Sequence, residues 1–204
     1  MNLDTVRKTF TDWAPFYNPT HGWTLPKRHA ARLALGPRPG DRVLDLACGT
    51  GLNFPNLREL VGDHGQVVGA DLTPAMLDIA RKLITTKGWK NVEVREADAA
   101  HLPFLDASFD KVLISFALNI IPDYVRAMEE VQRVLVPRGR FVALEMWAGL
   151  HSLPAWLQPL PHICAVDMSH NTLPAIQKVF PDVKVSYYWM KMIFVAVAQK
   201  GEKT

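Results

Sequence analysis

Cysteine is scarce in this 204-residue chain: there are two, Cys48 and Cys164. Cys48 falls in a glycine loop, so no disulfide framework is expected, and a reducing, cytoplasmic setting is. Excess charge is also missing. The formal net charge is +3, with Lys and Arg spread along the chain, which argues against a dedicated nucleic-acid surface. The N-terminus carries Asp4 and Asp12 and no apolar run, so no secretory signal is expected. The longest uncharged run, Met146 to Val166, has the length of a membrane span. His151, Pro154, Pro159, Pro161 and His162 interrupt it and argue against a spanning helix. Repeats and low-complexity segments are absent. What remains, at 49% hydrophobic and 21% charged residues, fits one α/β domain with a sizeable core.

The most informative stretch that is present is Val43-Leu44-Asp45-Leu46-Ala47-Cys48-Gly49-Thr50-Gly51. It reads as a buried parallel strand, an acidic residue and a tight glycine turn, with a helix opening near Leu52. Open α/β sheets bind nucleotide-like ligands at such units. A dinucleotide loop requires G-x-G-x-x-G, whose third small residue lets helix and strand pack closely. Here the third position is Phe54. Asp45 would repel a pyrophosphate and attract an ammonium or sulfonium group. The loop therefore suits a cationic nucleoside, with S-adenosylmethionine (SAM) the candidate, better than NAD.

Periodicity organises the rest. Leu3, Val6, Phe10, Trp13 and Tyr17 predict an amphipathic helix fraying toward Pro15. A second helix is predicted from Thr24 to Leu35, with Pro26 in its first turn. The aromatics of this opening segment either pack it onto the sheet or, at Tyr17, His21 or Trp23, face a ligand. Strands follow at Gln66–Asp71, Asn91–Arg95, Phe109–Ser115 and Arg140–Glu145, alternating with helices, the last opened by Pro122-Asp123. After a helix at Thr172–Phe180, strands Val183–Trp189 and Met192–Gln199 flank Met190-Lys191 and predict an antiparallel hairpin. The expected fold is a Rossmann-like, doubly wound, mostly parallel seven-stranded sheet with a C-terminal antiparallel hairpin and an N-terminal helical cap.

Asp71 ends the second strand 20 residues after Gly51, where an acid commonly accepts from ribose hydroxyls. Thr73-Pro74 supplies its own helix start, leaving Asp71 free for that role. Leu72 and Met76 could cover an adenine face, and Met76 fits a core position equally well. Asp98 and the Ala99 N–H, after the third strand, match an adenine amino group and ring nitrogen.

Taken together, VLDLACGTG, VVGADLTPAML, EADAAHLPF, FDKVLISFALNIIPD and VQRVLVPRGRF resemble the five ordered motifs of the class I SAM-dependent methyltransferases. The resemblance is strong over Arg42 to Glu145 and weaker at the hairpin. It implies that Asp45 and the loop of Gly49 and Gly51, with Ala47 beside them, hold the methionine end of SAM, Asp71 the ribose, and Asp98 with Ala99 the adenine edge. Ser115 would offer its backbone near the methionine amino group. Ala47 stands where the family usually has a glycine, and Asn119-Ile120 where many small-molecule members have a histidine pair.

Within the class, Trp13-Ala14-Pro15-x-Tyr17 and SFALNIIPD resemble the small bacterial phosphatidylethanolamine N-methyltransferases and the quinone-biosynthesis C-methyltransferases. The expectation is methyl transfer to a small or lipid-like acceptor. It leans to an amine such as phosphatidylethanolamine, with a quinone or other small-molecule C- or O-acceptor as the alternative and a non-catalytic SAM-binding protein as the rival class. No metal and no nucleic-acid partner are expected, and peripheral membrane contact is compatible with the acceptor. Candidate bases or orienting groups are Tyr17, His21 and Asn119, with His151, His162, Asp167 and His170 behind them. The expected division is a cap at 1–40, a SAM-binding core at 41–145, a substrate lid at 146–171, and a helix with the closing hairpin at 172–204.

Overall fold

The computed structural model describes residues 2–146, 172–189 and 192–202. The expected lid, with His151, His162, Cys164, Asp167 and His170, and the Met190-Lys191 turn lie outside the described residues.

The chain starts with helix α1 (Leu3–His21), a short 3-10 turn (Gly22–Thr24) and α2 (Leu25–Leu35). Strand β1 (Arg42–Leu46), α3 (Phe54–Val61), β2 (Gln66–Asp71), α4 (Pro74–Lys87), β3 (Val92–Glu96) and β4 (Phe109–Ser115) follow. Then come α5 (Tyr124–Val134), β5 (Leu135–Met146), α6 (Thr172–Val179), β6 (Val183–Tyr188) and β7 (Ile193–Gln199). The strands form one seven-stranded sheet in the order β3-β2-β1-β4-β5-β7-β6. Strands β1 to β5 pair in parallel, and β7 runs antiparallel to both β5 and β6. The order reverses between β1 and β4, so a crevice opens beyond their carboxyl ends, where such sheets take ligands.

Both sheet faces are covered, which is why the central strands read as continuous apolar runs. Leu44, Val68, Val112 and Phe141 face α5 and α6, whereas Val43, Val67, Leu113 and Val142 face α2, α3 and α4. The two-residue period of a strand sends neighbours to opposite cores.

Several boundaries differ from those expected. Helix α1 does not fray at Pro15 but continues through Pro15 and Pro19 to His21. The carbonyls near its end find other donors: the Thr20 hydroxyl donates to the Phe16 and Tyr17 carbonyls at 2.9 and 3.0 Å. Asn2 caps the start by accepting from the Thr5 N–H at 2.8 Å. Helix α3 begins at Phe54 rather than Leu52, because Gly51, at φ +81°, still belongs to the turn and accepts from the Phe54 N–H. Strand β5 starts directly after α5, at Leu135, which pairs with Phe109; the register shifts before Arg140 pairs with Lys111. Pro137-Arg138-Gly139, ahead of the expected strand start at Arg140, is thus a bulge in the strand, with Arg138 at φ +62°. Trp189 leaves the predicted strand for the turn, at φ +52°.

Candidate active site

The glycine loop leaves β1 with Ala47 in the left-handed region, at φ +52°. That conformation costs a residue with a Cβ about 1 kcal/mol, which explains the glycine usual at this position. The Cys48 N–H donates to the Ala70 carbonyl at 3.0 Å, tying the loop to the end of β2. Asp71 binds the same region more firmly. Its Oδ2 accepts from the Gly49 N–H at 2.8 Å and its Oδ1 from the Thr73 N–H at 2.9 Å. Asp71 is therefore not free of structural work, as the Thr73-Pro74 start suggested: the Thr73 side chain makes no cap bond, and Asp71 serves instead.

Phe54, the residue that broke the dinucleotide pattern, is fully buried. A Cβ on Gly51 would lie 2.6 Å from its ring, and one on Gly69 would lie 2.4 Å from it. The room that a third loop glycine would provide is supplied here by Gly69 on β2, a position that attracted no notice in the sequence.

Beyond the strand ends lies a cavity with about 690 Å³ of empty space including its mouth. Ala47, Gly49, Asp71, Leu72, Met76, Asp98, Ala99 and Ser115 line it, so eight of the ten expected cofactor-binding positions converge on one space. Asp45 and Gly51 are not in its lining. Helix α1 roofs the cavity with Leu3, Val6, Phe10 and Tyr17, and the segment after β4 adds Phe116, Ala117 and Ile120. An ion pair between Arg7 and Glu96, 2.9 Å, links α1 to the end of β3. Asp98 accepts from the Ala100 N–H at 3.0 Å, which fixes its loop. Phe116, like Ala47, has positive φ, +57°. Strained residues thus stand at the ends of both strands flanking the crevice, as is common at functional sites.

Among the catalytic candidates in the described residues, only Tyr17 lines the cavity. Burial raises its hydroxyl pKa, opposed by the Arg28 cation, so Tyr17 is a neutral phenol at ordinary pH. The His21 ring stacks on Tyr17 with centroids 3.9 Å apart, and its Nδ1 lies 2.9 Å from the Tyr17 carbonyl. Burial lowers its pKa, so the ring is neutral, with Nδ1 the donor and Nε2 the free acceptor. Asn119 is buried outside the lining, with its Oδ1 lacking a protein partner.

Behind the cavity sits a buried polar cluster that sequence reasoning missed except for Asp45 and Ser115. The Asn53 amide donates to Asp45 Oδ1 at 2.9 Å and lies 3.4 Å from Ser115 Oγ. Arg28, buried on α2, donates to Thr24 Oγ1 at 3.0 Å and lies over the Phe116 ring at 5.5 Å. Glu145, 0% exposed, accepts from the Ala117 and Leu118 N–H groups at 3.0 and 2.9 Å. One oxygen of each acid, Asp45 Oδ2 and Glu145 Oε2, has no hydrogen-bond partner among the described residues. Burial pushes Asp45 up to about 6, held back by the Asn53 bond and Arg28. Glu145 rises to about 7 for the same reason, against the Leu118 and Ala117 N–H donors, Arg28 and the Asn119 N–H. A signal for Glu145 was available: it closes an apolar strand at the end where ligands sit.

A doubly wound sheet with a glycine loop after β1, acids after β2 and β3, and an antiparallel closing pair defines the fold of the class I SAM-dependent methyltransferases. A methyltransferase structure from Aquifex aeolicus, described as SAM dependent, has this fold, with TM-score 0.68, 19% identity and 98% of each chain covered. The chain belongs to the ubiE/COQ5 methyltransferase family, whose model matches residues 23–196. A ubiquinone/menaquinone biosynthesis C-methyltransferase from Teredinibacter turnerae is 40% identical over 156 residues, spanning 76% of this chain and 60% of that protein. A demethylmenaquinone methyltransferase from Lactococcus lactis is 32% identical over 196 residues, spanning 94% of this chain and 75% of that protein.

The residues present suit SAM. The cavity is of ligand size, apolar Leu72, Met76 and Ala99 line it together with Asp71 and Asp98, and a buried carboxylate oxygen without a partner among the described residues belongs to Asp45 on β1. Among the described residues, no helix is long and apolar enough to cross a membrane.

Proposed function

We propose that this chain transfers a methyl group from SAM to a ring carbon of a quinol-type acceptor. The observation that carries the reading is the 40% identity to a protein named as a quinone-biosynthesis C-methyltransferase, together with the family match over residues 23–196. The amine acceptor favoured by the opening segment becomes the second choice. The chain spans 60% of that relative's length, so the relative's whole activity is carried over as a proposal.

In this reading Asp71 accepts from the ribose hydroxyls while its other bonds keep the loop closed. Asp98 and the Ala99 N–H read the adenine edge, and Leu72 and Met76 sandwich its faces. Ala47, Gly49 and the Ser115 backbone hold the methionine end, with Asp45 acting through Asn53. Bound SAM supplies an electrophilic methyl on a positively charged sulfur. The protein's task is then to align the acceptor behind that methyl and keep water out. The roof of α1 and the Phe116–Ile120 segment do both. The Tyr17 phenol donates a hydrogen bond that orients an acceptor oxygen. His21, stacked on Tyr17 but outside the cavity lining, holds that ring in place, and the proton that the ring carbon releases reaches it only through Tyr17 or water. Residues 1–40 serve as cap and 41–145 as the SAM-binding core.

Purified protein is tested with SAM and three acceptors: a soluble short-chain naphthoquinol, phosphatidylethanolamine and none. The expected outcome is S-adenosylhomocysteine release with the quinol and a new methyl on a ring carbon. Methyl on the ethanolamine nitrogen would overturn the acceptor, and SAM binding without release from either acceptor would favour the non-catalytic rival.

A further inference from the structure

Charge and exposed apolar surface are sorted along this chain. Residues 41–145 hold 15 of the 20 acidic residues and 12 of the 23 Lys and Arg. The segments on either side hold 11 Lys and Arg against 5 acids. No Asp or Glu occurs between 13 and 40, or between 183 and 201. Among the described residues, eight of the nine exposed large hydrophobics also lie in these flanks, all but Leu105.

The structure brings the two flanks together at one edge. Trp23, 50% exposed in the turn before α2, stacks on Trp189, 65% exposed beyond β6, with centroids 6.0 Å apart. Lys27 lies 4.8 Å over the Tyr188 ring, and Leu25 is exposed at the start of α2. On its inner side Trp23 meets Phe116 at 6.1 Å, and Phe116 lines the cavity. An aromatic path therefore runs from exposed surface to the candidate active site. Tryptophan and tyrosine beside lysine is the chemistry that suits the headgroup layer of a bilayer, where one end of the side chain is apolar and the other wet. Surrounding sequence without acids removes the repulsion that anionic lipid would otherwise meet.

We infer that the edge carrying Trp23, Leu25, Lys27 and Trp189 docks on an anionic lipid bilayer, so that a lipid-soluble acceptor reaches the cavity past Phe116. The inference deepens the reading of a quinol acceptor and rests on it for its purpose. The lipid contact itself can be measured separately.

The test is sedimentation with vesicles of phosphatidylcholine alone and of phosphatidylcholine with roughly one-third phosphatidylglycerol. The full chain is expected to bind the mixed vesicles, more weakly as salt rises, and its tryptophan emission to be quenched by bromine-labelled acyl chains. Trp189→Ser with Leu25→Ser removes two exposed apolar anchors and should lower partitioning by about tenfold or more, while S-adenosylhomocysteine affinity stays unchanged. Lys27→Glu should lower binding to the mixed vesicles only. Absence of vesicle binding, or binding that ignores these substitutions, overturns the inference. So does a concentration-dependent dimer that the double substitution dissolves, since a second copy would then be the occupant. Turnover of the soluble quinol reports on the reaction alone: its failure with vesicle binding intact refutes the proposed function and leaves the docking face standing.

Discussion

Two buried clusters of charge sit at different places in this fold, and they are built on opposite terms. On α5, against the loop that leads into β4, Glu130 has every need met. Its Oε2 accepts from the Leu102 N–H at 2.8 Å and from Arg133 at 2.7 Å, and its Oε1 accepts from Arg133 at 2.9 Å and Arg126 at 3.2 Å. These partners hold its pKa below the ordinary value, with Arg133 the main cause. Near the carboxyl ends of β1 and β5, Asp45 and Glu145 are equally hidden, yet each has an oxygen without a partner among the described residues, and both titrate upward. The first cluster is complete without a ligand. The second has capacity left over, which is the difference expected between a structural ion cluster and a ligand site.

Breaking the complete cluster should give the largest effect. Glu130→Ala strands Arg133 and the Leu102 N–H and is expected to cost about 3 kcal/mol in urea unfolding, with SAM affinity unchanged in the folded fraction. The comparison is sharpened by pH. The Glu145 carboxyl is raised to about 7, so its neutral form is the one the fold prefers. Its contribution to stability is full below the ordinary carboxylate range and is lost as pH rises through about 7. Glu145→Gln cannot ionise, so between about pH 5 and about pH 8 it should gain roughly 2 kcal/mol over wild type, read as the difference in unfolding free energies. Glu130→Gln should do the reverse in sign: its folded pKa is lowered, so wild type holds its advantage above the ordinary carboxylate range and loses it in acid.

A smaller effect concerns the site's reserve. Arg28 holds the Asp45 pKa down, so Arg28→Met should move the Asp45 titration further up and weaken SAM binding at neutral pH by roughly tenfold, measured by calorimetry. The smallest change expected is a gain. Ala47→Gly removes the left-handed strain at φ +52° and should stabilise the chain by about 0.5 kcal/mol, after the greater flexibility of glycine is counted.

The parallel core was legible because its signals are local. A buried strand is a run of Val, Leu and Ile, a helix start is Thr73-Pro74, and the order of motifs needs no tertiary information. The strand-end acids were legible for the same reason, since each follows its own apolar run. Arg28 and Asn53 were not. Each carries a residue type that normally lies in water, and only the packing of α2, the glycine loop and β5 against one another takes it out of water. Helix α1 was misjudged at Pro15 because local propensity predicts a break, whereas the packing of Val6 and Ala14 and the side-chain bonds of Thr20 keep the helix going. The acceptor end stayed illegible because aromatic residues look alike whether they pack on a sheet, line a cavity or face a membrane.

Phe54 also bears on how this loop can change over time. Its ring occupies the space that a Cβ on Gly51 or Gly69 would need, so 51, 54 and 69 form one unit with three members. No member can grow alone: a side chain at 69 must displace the ring, and displacing the ring leaves a hole beneath the glycine loop. A homologue that replaces this phenylalanine by a small residue can carry alanine on the second strand once the sulfur of Cys48, 2.8 Å from the same Cβ, also gives way. Substitutions at these three positions should therefore covary across the family, and grafting one of them without the others should fail.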